Sequence, residues 1–163
     1  MAKFQMGVTL NTDANITARV ADGTGAANQL DKADNGKFVK LVGDSQYGLC
    51  AVGNEIEGIL AVANDIAPAD GFNLGSVTLA DDSVRVAVTL DGLQATPGTG
   101  TIAVGDYVVC GTVVARGTAL SGNPKVCKAT AAATGIVYKW RLVAILNGGN
   151  GAVGNTGIIQ AVC

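Results

Sequence analysis

The chain contains no histidine among its 163 residues, and this absence excludes many familiar catalytic and metal-binding arrangements. Ser-His-Asp and Cys-His catalytic pairs both need an imidazole as the base. The four cysteines, Cys50, Cys110, Cys127 and Cys163, include no C-x-x-C pair, so their spacing is not that of a zinc site. We therefore predict a protein that is not an enzyme, that holds no metal or cofactor, and whose thiols are free and buried. A disulfide between Cys110 and Cys127, across a hairpin, is the alternative left open.

Charge and aromatic side chains are also scarce, at 15% and 4% of the residues, and the net charge is −2. The chain has no basic footprint for nucleic acid or for an anionic membrane, so neither is expected as a partner. No apolar run approaches the roughly 20 residues of a membrane helix, and the first residues lack the apolar stretch of a signal peptide. We expect synthesis in the cytoplasm. Hydrophobic residues make up 48% of the chain, which favours burial of surface in an oligomer or against a partner.

The few motifs that suggest chemistry have simpler interpretations. The carboxylate pairs Glu55/Glu57 and Asp81/Asp82 are interpreted as solvated turns and rims, because glycosidase chemistry needs a cleft lined by sugar-stacking aromatics. Residues 149–154 match GxGxxG, but no helix pattern follows, so a turn is favoured over a dinucleotide site. Trp140 is interpreted as a core residue of a sheet, with an interface anchor as the alternative.

What the chain has in abundance is β-branched residues, small residues and 23 glycines, which together favour strands joined by tight turns. Alternating or apolar runs predict strands at residues 38–42, 47–52, 56–62, 72–80, 84–90, 102–104, 107–114, 125–130, 136–146 and 158–163. Residues 72–80 and 84–90 are predicted to form a hairpin around a polar turn at 81–83. For residues 136–146 a strand is favoured over a buried helix, because no capping box precedes the run. The spacing predicts an all-β fold, a compact β-barrel or jelly-roll-like sandwich.

Residues 1–36 differ from the rest of the chain, because they are rich in Asn, Asp, Thr, Gly and Ala and have only one short apolar alternation. Such a segment buries little apolar area by itself, so its ordering needs a partner surface. We predict an extended N-terminal arm over 1–36 and a β-body over 37–163. Deleting residues 1–30 is then expected to leave the body folded. The candidate partner-binding residues in the arm are Phe4, Met6, Val8, Leu10, Ile16 and Arg19.

The order of segments over residues 37–163 resembles the head decoration, or capsid cement, proteins of tailed bacteriophages. The segments are GKFVKLVG, CAVGNEIEGILAVA, GSVTLADDSVRVAV, TIAVGDYVVCG, KWRLVAIL and a last strand, IIQAV. The resemblance implies a β-barrel or jelly-roll-like fold, a homotrimer, and binding to the major capsid protein on the outside of the expanded capsid lattice. It also implies that the protein resides on the virion exterior after synthesis in the host cytoplasm.

Two other function classes stay open from the sequence. One is another β-structured virion or surface protein, such as a head fibre base, a tail tube or an adhesin. The other is a small-ligand or carbohydrate-binding β-module. Specific glycan binding would favour the latter, whereas saturable binding to undecorated capsids would favour the cement protein.

Overall fold

The computed structural model describes residues 4–6, 8–10, 15–24, 26–63, 73–130 and 138–162, and this part of the chain is nearly all strand and turn. The predicted all-β class is confirmed. The strands are β1 (Phe4–Met6), β2 (Val8–Leu10), β3 (Asn15–Val20), β4 (Phe38–Gly43), β5 (Gln46–Leu49), β6 (Gly58–Ala63), β7 (Leu74–Leu79), β8 (Arg85–Leu93), β9 (Thr96–Pro97), β10 (Val108–Cys110), β11 (Lys125–Lys128), β12 (Trp140–Ile145) and β13 (Thr156–Ala161). Two short 3-10 turns, Ala26–Asn28 and Lys32–Asp34, lie between β3 and β4.

Five strands close into a small barrel in the order β3-β5-β4-β6-β7, with β7 pairing back onto β3. Only the β3–β5 pair is parallel. The barrel is filled by small and aliphatic side chains, which suit a narrow interior. Its buried core consists of Ala18, Val20, Leu30, Val39, Leu60 and Val77.

The second half of the chain forms a six-stranded sheet in the order β10-β11-β8-β13-β12, with the short β9 pairing with the end of β8. An isolated antiparallel bridge joins Tyr107, directly before β10, to Arg141 on β12. The backbone N–H of Leu142 donates to Asp106 O at 2.9 Å, and that of Gly105 donates to Leu142 O at 2.7 Å. These contacts bring the two edges of the sheet together, so the sheet curls around its own core.

The barrel has a core of its own, and residues on its outer side join the side chains of the curled sheet in a second, shared hydrophobic core. Successive residues of β4 and β6 point to opposite faces, as strand geometry requires. Val39 and Leu60 fill the barrel, whereas Phe38 and Ile59 pack with the side chains of the six-stranded sheet. Trp140 connects the two halves most directly, because it is fully buried and its indole N–H donates to Ile56 O at 2.8 Å. The prediction of Trp140 as a core residue is confirmed.

The alternation of apolar side chains along β8, the central strand of the second sheet, explains which of its faces is buried. Val86, Val88 and Leu90 are buried in the shared core, while Arg85 between the turn and Val86 is exposed. Gly92 is the last residue but one of the strand, and its φ of +82° and close approach exclude a side chain, because a Cβ there would lie 1.9 Å from Thr99 O. The apolar alternation therefore predicted the buried face of β8 correctly. Gly92 marks the point near the end of β8 where another backbone segment comes close.

The predicted hairpin over 72–90 is wrong, although its turn is present. Asp81 accepts hydrogen bonds from the Ser83 backbone N–H at 2.9 Å and from its hydroxyl at 2.6 Å, and Val84 N–H donates to Asp81 O at 2.8 Å. However, β7 pairs with β3 and β6 in the barrel, whereas β8 pairs with β11 and β13 in the other sheet. The turn carries the chain from one sheet to the next because each strand buries its apolar face in a different core.

The latter part of the predicted arm is built into the body. β3 supplies one of the five barrel strands, and Val20 and Leu30 are completely buried. The connection after β3 is held by Asn73, whose amide donates to Leu30 O at 2.9 Å. The assignment of residues 1–36 to an extended arm is therefore wrong for its second part. β3 closes the barrel, and Leu30 in the segment after it fills the barrel core.

A buried ion pair fastens the 112–122 loop to the barrel. The Lys37 ammonium donates to Asp34 Oδ1 and to Ala115 O, both at 2.7 Å, and the two side chains are 5% and 0% exposed. Asp34 also accepts from Gly117 N–H at 2.8 Å and from Asp31 N–H at 3.1 Å. The charges are therefore compensated and hydrogen-bonded, as burial requires.

Candidate partner-binding surface

Four of the six predicted partner-binding residues lie on one hairpin. β1 and β2 form a two-stranded antiparallel sheet of their own, in which Phe4 pairs with Leu10 and Met6 with Val8. Residues that oppose each other directly in such a pair belong to the same face, so these four positions share one face. The hairpin has no ladder in common with the barrel or the six-stranded sheet, and β2 lies beside β8. An isolated hairpin is at best marginally stable in water, so a further surface is expected to stabilise this one.

The other two predicted residues, Ile16 and Arg19, lie on β3. Ile16 packs against the barrel core, so it has a structural role. Arg19 alternates with the buried Ala18 and Val20, which places it on the outer side of the barrel. Its neighbour across the strand pair is Leu74, whose side chain is 46% exposed. The structure therefore separates Ile16 and Arg19 from the hairpin and divides them between the inside and the outside of the barrel.

Exposed apolar residues at the end of β4 were missed by the sequence analysis. Leu41 and Val42 are 51% and 42% exposed, although the alternation placed both in a strand. The reason is that β4 pairs with β6 only at Phe38 and Val39, so the last residues of β4 extend past the strand that covers its start. No local pattern reports where a neighbouring strand ends.

A second unpredicted surface feature lies at the edge of the curled sheet. The guanidinium of Arg141 lies 4.8 Å from the ring centre of Tyr107, and its Nη2 donates to the Tyr107 hydroxyl at 2.9 Å. The ring of Tyr138 lies 6.1 Å from that of Tyr107. Tyr107 is 40% exposed. Tyrosine and arginine are residue types enriched at binding hot spots, so the composition of this partly exposed cluster is typical of interfaces.

Asp106, next to this cluster, forms an ion pair with Lys128 at 2.9 Å. Burial pushes the pKa of Asp106 up, but the hydrogen bond and charge of Lys128 and the hydrogen bond from Ala103 N–H outweigh it, and the net pKa is lowered. A carboxyl whose pKa is lower in the folded state adds stability at neutral pH, and this contribution is lost as the pH falls below the ordinary value near 3.8.

We expect Asp106→Asn to lower the free energy of unfolding at pH 7 by less than about 1 kcal/mol, because both partners are partly exposed. It should also reduce the loss of stability between pH 7 and pH 3, since the group that takes up the proton is gone. Urea unfolding at the two pH values measures this, with Asp44→Asn in an exposed turn as the control. An equal loss of stability in Asp106→Asn and the wild type would contradict the assignment.

A cleft of about 440 Å³ opens at one end of the barrel. Leu41, Leu79 and Val162 supply apolar walls, and Tyr47 and the Glu57–Lys139 pair supply polar groups, the latter with 3.8 Å between Oε1 and Nζ. Burial, and to a smaller extent the charge of Glu57, raises the pKa of Tyr47. The cleft thus combines apolar walls with a few polar groups, as small-ligand pockets do.

The prediction that the carboxylate pairs lie in solvated turns and rims holds for Asp81 but not for Glu55, which is partly buried. Asp81 stabilises the turn described above. Glu57 accepts a hydrogen bond from the Leu41 backbone N–H and pairs with Lys139. The pKa of Glu55 is raised, mainly by burial, and its Oε1 is buried without a hydrogen-bond partner. The formal GxGxxG at 149–154 lies in turns, with Gly151 and Gly154 at φ of +77° and +89°, and it leads into β13 and not into a helix.

Cys50, Cys110 and Cys127 carry free, buried thiols, which confirms the prediction for these three, while Cys163 lies outside the described residues. β10 and β11 do pair, but Cys110 opposes Val126 and Cys127 opposes Val109. Cys110 and Cys127 therefore point to opposite faces.

The pKa of Cys50 is raised, first by its hydrogen bond with Cys110 and then by burial. Burial, followed by the charge of Asp91, raises the pKa of Cys127 to about 12. At neutral pH these two thiols are protonated and are poor nucleophiles.

Among the described residues, no group of three or more Cys, Asp or Glu side chains is arranged to hold a metal ion. No helix in that part of the chain has both the length and the apolarity to cross a membrane. Comparisons with known protein families, with curated proteins and with solved structures find no match.

Proposed function

We propose that the chain is a structural virion protein that binds the outside of the expanded major-capsid lattice and stabilises the head. The observation that carries the proposal is the separate hairpin, which precedes a closed, rigid body and groups Phe4, Met6, Val8 and Leu10 on one face. The resemblance of residues 37–163 to capsid cement proteins supplies the partner, the major capsid protein, and the homotrimer. The buried thiols and the scarcity of catalytic groups favour binding over chemistry.

Physical reasoning connects this geometry to a cementing role. A ligand that binds only the assembled lattice stabilises that lattice by mass action. A trimer would present three hairpins at once, and such repetition converts weak contacts into strong attachment through effective concentration. The barrel and the six-stranded sheet would then hold the three hairpins at fixed distances from one another.

The direct test mixes purified protein with undecorated, expanded capsids and measures bound protein by sedimentation. Saturable binding in multiples of three per lattice site, with increased resistance of the decorated shells to heat, is the expected result. Absence of saturable binding would refute the proposal.

A second experiment tests the hairpin. Replacing Phe4, Met6, Val8 and Leu10 with serine should weaken capsid binding by about 100-fold, because burial of each apolar side chain contributes on the order of 1.5–3 kcal/mol and part of that is lost to ordering. The circular dichroism spectrum and melting temperature should stay close to those of the wild type, because the hairpin shares no ladder with the body.

The matched control replaces the intervening Gln5 and Thr9, which pair with each other on the opposite face, with serine. This control is expected to bind capsids normally. Equal binding by the control and the four-residue variant would show that the apolar face of the hairpin is not the attachment surface.

The cleft at the end of the barrel favours a second candidate, a small-ligand or carbohydrate-binding module. Its volume of about 440 Å³ lies within the range of ligand pockets, roughly 300–1,000 Å³, and it combines apolar walls with a few polar groups. A glycan array tests this candidate. Specific hits that disappear in Tyr47→Ala would favour it over the cement protein, and a blank array together with capsid binding would exclude it.

A further inference from the structure

Within the described part of the chain, two surfaces expose apolar side chains next to a charge that forms no ion pair. The first, the turn surface, consists of Leu41, Val42 and Asp44, at the end of β4 and in the turn after it. Leu41 and Val42 are exposed, and so is Asp44, which pairs with no described cation. A carboxylate beside exposed aliphatic side chains is suited to contact with another protein surface.

The turn surface is held in a fixed conformation. Gly43 pairs with Gln46, so only Asp44 and Ser45 connect β4 to β5. Ser45 has a φ of +50°, and its O accepts a hydrogen bond from the Arg19 N–H of β3 at 3.1 Å. The turn is therefore tied to a third strand of the barrel, and little conformational entropy would be lost when it binds a partner.

The second, the arginine surface, consists of Val104, Tyr107 and Arg141. At 58% exposed, Val104 is the most exposed large apolar side chain of the described residues. The Arg141 guanidinium lies over the Tyr107 ring and donates to its hydroxyl, whereas Arg141 Nε is buried and has no hydrogen-bond partner. Carboxylates are the groups that a guanidinium binds most strongly in proteins, so the natural partner of this surface is acidic.

Arg141 is the uncompensated cation of its neighbourhood. Lys128 pairs with Asp106 at 2.9 Å, and Lys139 pairs with Glu57 at 3.8 Å. Arg141, in contrast, forms no ion pair with any carboxylate of the described ranges. Its positive charge and the negative charge of the turn surface are therefore complementary and both unused.

Both surfaces border the cleft at the end of the barrel. Leu41 and Lys139 line this cleft, and Lys139 is two residues before Arg141. Two different surfaces that lie side by side on one chain can each contact a different neighbouring copy around a common symmetry axis.

We propose that copies of this chain associate through these two surfaces, with Asp44 of one copy against Arg141 of the next. The aliphatic side chains of the turn surface would then cover Val104 and Tyr107, and the two charges would compensate each other. Because two different surfaces meet, the contact is head to tail, and such a contact closes into a ring when the rotation between neighbours allows it. A ring of three is the homotrimer of the proposed function, on which this stoichiometry rests.

Sedimentation equilibrium of the full chain measures this contact. The wild type should sediment as a trimer. Arg141→Glu and Asp44→Lys should each raise the dissociation constant at least about 30-fold, because like charges then face each other across the contact. The variant that carries both substitutions should assemble again, since its two charges are exchanged but still opposite.

Arg85→Glu and Asp82→Lys are the matched controls, because both side chains are exposed and lie outside the two surfaces. Both controls should form trimers as the wild type does. The circular dichroism spectrum of every variant should match that of the wild type. If Arg141→Glu fails to fold, Asp44→Lys in its exposed turn tests the same contact from the other side.

A wild type that is monomeric or dimeric, trimers that neither charge reversal weakens, or a combined variant that stays dissociated would each overturn the proposal. Capsid binding is measured separately. A monomer that binds undecorated capsids would refute only the self-association, whereas a trimer that does not bind them would refute only the capsid-binding function.

Discussion

Replacing Trp140 with alanine is expected to lower the free energy of unfolding by about 5 kcal/mol. Trp140 is fully buried in the core shared by the barrel and the six-stranded sheet. Truncation of a buried Trp leaves a large cavity and costs about 3–5 kcal/mol. The lost indole N–H also leaves Ile56 O without its donor, and an unsatisfied buried carbonyl adds about 1–3 kcal/mol. Since small domains have only about 5–15 kcal/mol of stability, much of the Trp140→Ala protein should be unfolded.

Trp140→Phe separates the two contributions. It keeps most of the apolar volume but removes the N–H, so we expect a loss of about 2 kcal/mol. Urea unfolding followed by circular dichroism is the suitable measurement, because Trp140 is the only tryptophan and fluorescence would be lost with it. A loss below about 1 kcal/mol in Trp140→Ala would mean that Trp140 does not join the two halves.

The second large effect is expected for Lys37→Met, which should cost about 3–5 kcal/mol. The substitution leaves the carboxylate of Asp34, which is 0% exposed, without its compensating charge, and removal of one partner of a buried pair is strongly destabilising. The substitution also removes the hydrogen bond that Lys37 Nζ donates to Ala115 O. The 112–122 loop should therefore loosen from the barrel and become sensitive to proteases.

A double-mutant cycle tests whether the cost comes from the uncompensated charge. Asp34→Asn keeps one acceptor oxygen, which can still accept from Gly117 N–H but not also from Asp31 N–H, and combining it with Lys37→Met removes both charges. The double variant should therefore be more stable than Lys37→Met by at least about 1 kcal/mol. Lys40→Met, on the same strand but partly exposed, is the control and should change stability by less than about 0.5 kcal/mol. Additive losses in the cycle would contradict a direct Asp34–Lys37 interaction.

Local strand patterns could be predicted from the sequence because they depend on residues two apart. The alternation of Val86, Val88 and Leu90 identified a buried face, and the β-branched and aromatic content of 136–146 favoured the strand that β12 forms. Glycine inside a strand pattern also indicates a place where another backbone segment comes close. At Gly58 a Cβ would lie 2.8 Å from both Thr78 O and Val77 Cγ1, as expected for a glycine inside a strand.

The pairing of strands could not be predicted in the same way, because it depends on which core each strand completes. The short turn after β7 suggested a hairpin, yet β7 and β8 belong to different sheets. β3 was assigned to the arm because its surroundings are polar, although Ile16, Ala18 and Val20 alternate as a strand should. Only the closure of the barrel by β7 shows why this short alternation is buried.

The candidate site was predictable only in part. The alternation of apolar residues near the start of the chain was visible, and it corresponds to the face of the β1–β2 hairpin. The Tyr107–Arg141 contact joins residues 34 positions apart, and nothing in the local sequence of either residue indicates the other. Such contacts arise from the way the sheet curls and from the way the barrel packs against it.

The division of the chain between barrel and sheet has a consequence for its synthesis. The five barrel strands lie between residues 15 and 79, so all of them emerge from the ribosome before β8 does. The six-stranded sheet, in contrast, needs β13 to fill the place between β8 and β12, so it forms last. Until then the outward-facing Phe38 and Ile59 of the barrel lack the cover that the finished sheet provides. A barrel that closed before the sheet formed would expose these apolar side chains, and such exposure promotes association with neighbouring chains.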